Sequence, residues 1–169
     1  MRQGNKIILA IVVLLVFVAV ILGVDWLRRR DANTPQGTAT PLPAGSVPIY
    51  FDGELVAGFT PADMEKLGKV SFIEAVEGKL QEGWLLRDIL LMHLPADPDQ
   101  LAPDMVITVV STSRGKSAVL NWAEVQDQAN MVMFDLSNRG TLKLVSLLPK
   151  LDTRDEWIQD VDRIEINTP

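Results

Sequence analysis

Cysteine is absent from the 169 residues. That excludes disulfides, thiolate metal ligands and a cysteine nucleophile. Histidine occurs once, as His93 in LLMHLP, so no second imidazole exists to complete a metal site. A Ser–His–Asp arrangement would need that one ring as its base, and no nucleophile-elbow glycine pattern surrounds Ser111, Ser113 or Ser117. His93 reads as structural, in the last turn of a helix, where the dipole favours a cation and the ring can satisfy a carbonyl. Positive charge is scarce as well. From Val47 onward, 11 Lys and Arg stand against 20 Asp and Glu, a net −9, whereas residues 1–46 carry +3. An acidic domain does not hold nucleic acid by neutralising phosphates, and anionic lipid repels it. A glycine-rich phosphate loop is also missing, and no internal repeat is visible.

What the sequence does have is one long apolar run. Ile7 to Val24 is 18 residues without a charge or a proline, and as a helix it rises about 27 Å, close to a bilayer core. A cleavable signal peptide would have a shorter run ending at a small-x-small site, and Ile21-Leu22-Gly23-Val24 offers none. No small-xxx-small pattern for helix pairing extends beyond Ala10. Residues 1–30 are therefore expected to form an uncleaved single-pass anchor, spanning about residues 7–24. Arg2 and Lys6 before the run nearly balance Arg28, Arg29 and Arg30 after it. Residues 31–46, rich in Pro, Thr, Ala and Gly, form an extended tether. Uncharged Thr/Pro linkers are common outside membranes, so the expected place of the domain is extracytoplasmic.

Residues 47–169 are of single-domain size. PIYFDGELVAGF reads as a hairpin around Asp52-Gly53. TPADMEKLG reads as a capped helix, with Thr60 as N-cap, Pro61 at the first position, Asp63 in a capping box and Gly68 as the stop. Lys69–Ala75 is the next strand, Glu74–Gly83 an acidic loop, and Trp84–Leu94 a helix with Leu86, Ile89, Leu90 and His93 on one face. MVITVVSTS is a strand apolar enough to be central; a turn RGK, a strand AVL and a second capping box at Asn121 and Glu124 follow. MVMFDL and TLKLVSLL are strands around SNRG, and DRIEI alternates like a half-exposed strand. The expected class is α+β, with short helices against a mixed sheet.

In order, these pieces resemble the molybdopterin-binding domain of the sulfite oxidase type. The likeness covers nearly all of Val47–Thr168 and is carried by GELVAGFTPADMEKLGKVSF, GWLLRDILL, ITVVSTSRGKSAVLNWAEV, and MVMFDLSNRGTLKLVSLLPK with WIQDVDRIEI. The resemblance implies that fold. Catalytic members bind molybdenum through a pterin dithiolene and one cysteine, in the loop after the strand that matches Val70–Ala75. Here that loop reads Glu74-Ala75-Val76-Glu77-Gly78, and a carboxylate is a harder, weaker donor to such a centre. The chain is also shorter than catalytic members. The resemblance therefore implies a site that has lost its chemistry.

Four cations are assigned to a retained ligand pocket: Arg114 and Lys116 in the polar turn Thr112–Ser117, Arg139 in SNRG, and Lys150. Hydroxyls and amides with Arg and Lys are the components of an oxyanion site, against which stands the plain reading of turn residues. Glu74, Glu77, Glu82 and Asp88 read as solvated carboxylates rather than a cation site. Asp152, Asp155, Glu156, Asp160 and Asp162 read as a charged face, because TRDEWIQDVD lacks the glycine of a calcium loop. Trp84, Trp122 and Trp157 read as packing anchors. No catalytic residue and no metal ligand is assigned, and no cofactor is expected, molybdopterin being the one group that the resemblance points to. The expected partners are the membrane, through the N-terminal helix, and a protein in a membrane complex. The function that follows is that of a non-catalytic accessory or assembly subunit. The alternatives are a molybdopterin-dependent oxidoreductase or pterin-binding protein with a non-cysteine metal site, and a ligand or ion sensor.

Overall fold

The computed structural model describes residues 42–94 and 101–169. The expected anchor and most of the tether lie outside the described residues. Among the described residues no helix is long and apolar enough to cross a membrane.

The domain is α+β and contains two five-stranded sheets rather than the single sheet expected. The strands run β1 (Val47–Phe51), β2 (Glu54–Phe59), β3 (Val70–Ile73), β4 (Leu80–Leu85), β5 (Val106–Ser111), β6 (Lys116–Asn121), β7 (Met133–Leu136), β8 (Leu142–Val145), β9 (Ile158–Gln159) and β10 (Arg163–Asn167). The first sheet has the order β2-β1-β10-β5-β6 and is mixed, since β1 and β10 run parallel. The second has the order β3-β4-β7-β8-β9, with every pair antiparallel. Among the described residues three short α-helices accompany them, α1 (Pro61–Met64), α2 (Leu86–His93) and α3 (Trp122–Gln126), with one 3-10 turn at Gln128–Asn130.

Local chemistry explains most of these elements. Asp52 and Gly53 both take positive φ, 48° and 83°, as a type I′ hairpin turn requires. Both capping boxes form, although α1 is a single turn that ends at Met64, before Gly68. β10 alternates buried and half-exposed residues as expected. β5 lies between β10 and β6 with one face buried, through Ile107, Val109 and Ser111.

The largest departure is at β4. The residues expected to be loop up to Gly83 and helix from Trp84 are strand from Leu80 to Leu85, and the helix begins at Leu86. Two apolar layers account for this. Trp84 faces the main core, while its neighbour Leu85 faces a second cluster with Met133, Val145 and Trp157. A strand buried on both faces is apolar at successive positions, which mimics the start of a buried helix.

One core joins the sheets. Ile49, Phe59, Ile107, Leu120, Ile164 and Ile166 of the first sheet form a continuous cluster with Trp84, Phe134, Leu142 and Leu144 of the second. Helix α2 contributes Leu86, Ile89 and Leu90, and α3 contributes Trp122 and Val125. Trp84, Trp122 and Trp157 are all buried, in the packing role expected of them.

Candidate functional site

The four cations do not form one cluster. They divide into two pairs, and each cation is engaged by acceptors of the chain itself. Arg114 lies in the β5–β6 turn and Arg139 in the β7–β8 turn, so they belong to different sheets. Both reach Asp160, in the crossing between β9 and β10. The Arg114 Nε donates to the Asp160 carboxylate at 2.7 Å, and an Arg139 guanidinium nitrogen donates to it at 3.2 Å. Thr141 Oγ1 donates to the same carboxylate at 2.7 Å. Asp160 takes a left-handed φ of 56°, a conformation that aspartate tolerates better than most residues. The Thr141 hydroxyl and then the Arg114 guanidinium hold its carboxyl below the usual range, against the opposing effect of burial.

Around this carboxylate the backbone also crosses between the sheets. Val161 N–H donates to the Leu142 carbonyl of β8, and Asp162 N–H donates to the Val110 carbonyl of β5. The Asp162 side chain accepts from the Thr112 amide and hydroxyl, at 2.8 and 3.0 Å. Asp160 and Asp162 are therefore fastenings between turns rather than the spectator charges that the sequence suggested.

Lys116 and Lys150 line an open groove of about 320 Å³ with Ser117, Asp155 and Glu156. Lys116 Nζ donates to the backbone carbonyls of Asp155 and Trp157. Lys150 Nζ donates to the Val119 carbonyl at 2.9 Å and to Glu124 Oε2 at 2.7 Å. Glu124 is the capping-box carboxylate of α3, and also accepts from the Asn121 amide at 2.9 Å. Lys150 thus secures β6 and α3.

In the loop after β3, Glu74 is buried, with only 3% of its surface exposed, so the expectation of a solvated carboxylate fails there. Its carboxylate accepts from the backbone N–H groups of Val76 and Glu77, each at 2.8 Å, and from that of Lys79 at 3.4 Å. Burial pushes its pKa up, but the three amide donors outweigh that and leave it below the ordinary value. Glu77 is exposed and pairs with Lys79 and Arg154, while Glu82 pairs with Lys69 at 2.9 Å. Asp88 pairs with its neighbour Arg87 at 2.9 Å. These carboxylates do not converge, and among the described residues no group of three or more His, Cys, Asp or Glu is placed to hold a metal ion.

His93 packs its ring against Phe59, with centroids 5.7 Å apart, and its Nε2 has no hydrogen-bond partner among the described residues. The residue stands in the last turn of α2 as expected, and its ring packs there against Phe59. Burial lowers its pKa, partly offset by the charge of Asp63.

One cluster has no counterpart among the residues that the sequence singles out. Lys143 Nζ lies 2.7 Å from Asp135 and 2.9 Å from the buried Gln81 amide oxygen, and sits 4.6 Å above the Trp157 ring. Asp135 and Lys143 are cross-strand partners. Each lies two residues outside the Ser137–Thr141 turn, a symmetry from which the pair could have been found.

Compared with known proteins, the chain matches no protein-family model, and no curated protein shows significant similarity to it.

Proposed function

We propose that the chain is a single-pass, membrane-tethered accessory or assembly subunit. Its domain is a shortened relative of the sulfite-oxidase-type molybdopterin-binding fold, used for binding rather than catalysis. One observation carries this reading: the side chains that would grip a cofactor are committed to the chain's own acceptors. Arg114 and Arg139 meet on Asp160, Lys116 is held by two carbonyls, and Lys150 by Val119 and Glu124. In the loop where catalytic members of the resembled family carry their metal-ligand cysteine, Glu74 is buried and saturated by backbone amides. A carboxylate so engaged is a poor candidate for a metal ligand. The 18-residue apolar run places the domain beside a bilayer, extracytoplasmic by the nature of its linker, and confinement there raises the effective concentration for a membrane-held partner.

The reading of a molybdopterin-dependent oxidoreductase or pterin-binding protein draws on a different observation. Two guanidinium groups share the single carboxylate of Asp160, leaving a surplus positive charge that a phosphate would neutralise. One preparation separates the two. The protein is extracted from its native membrane in mild detergent, sized, and assayed for molybdenum by elemental mass spectrometry and for pterin by fluorescence after oxidation. The accessory reading expects a particle well above the 18.7 kDa chain in its detergent micelle, with no stoichiometric molybdenum or pterin. A bare monomer at native abundance removes its main support, and stoichiometric molybdenum establishes the enzyme.

A further inference from the structure

The three most exposed large apolar side chains among the described residues sit together at the β3–β4 hairpin tip. Ile73 is 67% exposed, Val76 70% and Leu80 63%. Ile73 and Leu80 are cross-strand partners, and Val76 lies in the loop between them. The loop is not loose, because the buried Glu74 carboxylate binds three of its amides and its own N–H donates to the Lys79 carbonyl at 3.0 Å. A preordered tip loses little conformational freedom when it is covered.

Charge around the tip is balanced. Lys69, Lys79 and Arg154 face Glu74, Glu77 and Glu82, with Lys69 paired to Glu82 and both Lys79 and Arg154 to Glu77. The domain as a whole carries −9. The tip is therefore a place where an otherwise acidic surface neither attracts nor repels a neutral headgroup layer, and the long stems of its cations suit a position at the interface.

We propose that this tip inserts Ile73, Val76 and Leu80 into the headgroup boundary of a zwitterionic bilayer, giving the protein a second membrane contact besides its apolar run. The proposal rests on the membrane-tethered reading. Between the run and the described domain lie 17 residues, Asp25–Pro41, a length of chain that can reach at most about 58 Å. The domain has an expected radius of gyration of about 14 Å, so the tether lets any of its faces reach the bilayer. Three side chains fall well short of the roughly 1,200 Å² of a stable protein interface. As an addition to an existing tether they are sufficient, because the second contact is intramolecular.

The chain lacks cysteine, so Val76→Cys gives a single labelling position at the tip, with Leu80→Cys as a second in case the first disturbs folding. The full chain, labelled with an environment-sensitive nitrobenzoxadiazole, is reconstituted in phosphatidylcholine vesicles containing nitroxide-labelled lipid. The expected result is a blue-shifted emission that the nitroxide lipid quenches at the tip, while a label at the exposed Glu54→Cys, beside the β1–β2 turn at the other end of the first sheet from the β5–β6 turn, stays unquenched. Introducing Ile73→Asp should abolish the quenching. Unquenched, water-exposed labels at both tip positions overturn the proposal. So does a blue shift without quenching, which would mean that protein covers the tip. Carbonate washing of the same vesicles tests the apolar run separately: quenching that is absent while the chain resists extraction sinks the tip contact alone. Quenching at the tip of a chain that carbonate removes upholds the tip contact and sinks the anchor.

Discussion

Asp160 is the residue on which the two sheets are most directly joined by side chains, since its carboxylate accepts from Arg114 of one turn, Arg139 of another and Thr141. Asp160→Asn keeps a side chain that tolerates the left-handed backbone but removes the charge shared by the two guanidinium groups. We expect a lower Tm at neutral pH, with the gap to the parent closing in acid. The direction follows from linkage. The folded-state pKa lies below the ordinary 3.8, so the stabilisation is complete above that value and disappears as pH falls through the folded value. Thermal unfolding followed from neutral pH into acid checks this, and a gap that stays constant would mean that the charge contributes nothing. Gly83 makes a different kind of demand. A Cβ there would lie 2.0 Å from the Phe134 carbonyl oxygen of the adjacent strand, so the backbone itself would have to move. Gly83→Ala should cost about 3 kcal/mol, at the upper end of overpacking effects, measured by urea unfolding.

At the scale of elements, the β3–β4 hairpin loop depends on one carboxylate. Glu74→Ala removes the acceptor for the amides of Val76, Glu77 and Lys79, and should speed hydrogen exchange at those three positions while leaving β5 and β10 protected. Unchanged exchange in the loop would show that backbone bonding alone holds it. The elements also show what was legible in the sequence. The Asp52-Gly53 hairpin and the boxes at Thr60–Asp63 and Asn121–Glu124 were readable because their chemistry is complete within four residues. β4 was not readable, because Gly83 looks like loop punctuation until Phe134 is placed beside it. β9 is two residues long, and only its pairing with β8 makes it a strand. Of the candidate site, residue types and turns were foreseen for Arg114 and Arg139. Their shared partner was not, since Asp160 lies 46 and 21 residues away and reads locally as one acid among several.

At the scale of the molecule, the two sheets share one core, so they should unfold together. Far-UV circular dichroism and tryptophan fluorescence are expected to report coincident urea transitions, for the domain as it sits in the full chain. Separate midpoints would divide the domain into independent halves. β10 occupies the place in this plan that others wait for. It is the last strand of the domain, yet it lies between β1 and β5 in the first sheet, with Ile164 and Ile166 in the shared core. During synthesis, β1 and β5 leave the ribosome with the edges that face each other unpaired, and neither can find its neighbour until residues 163–167 emerge. Such edges are templates for pairing with other chains. These two edges therefore stay open to other chains until residues 163–167 can pair with them, and a chaperone guarding them would have to stay until then.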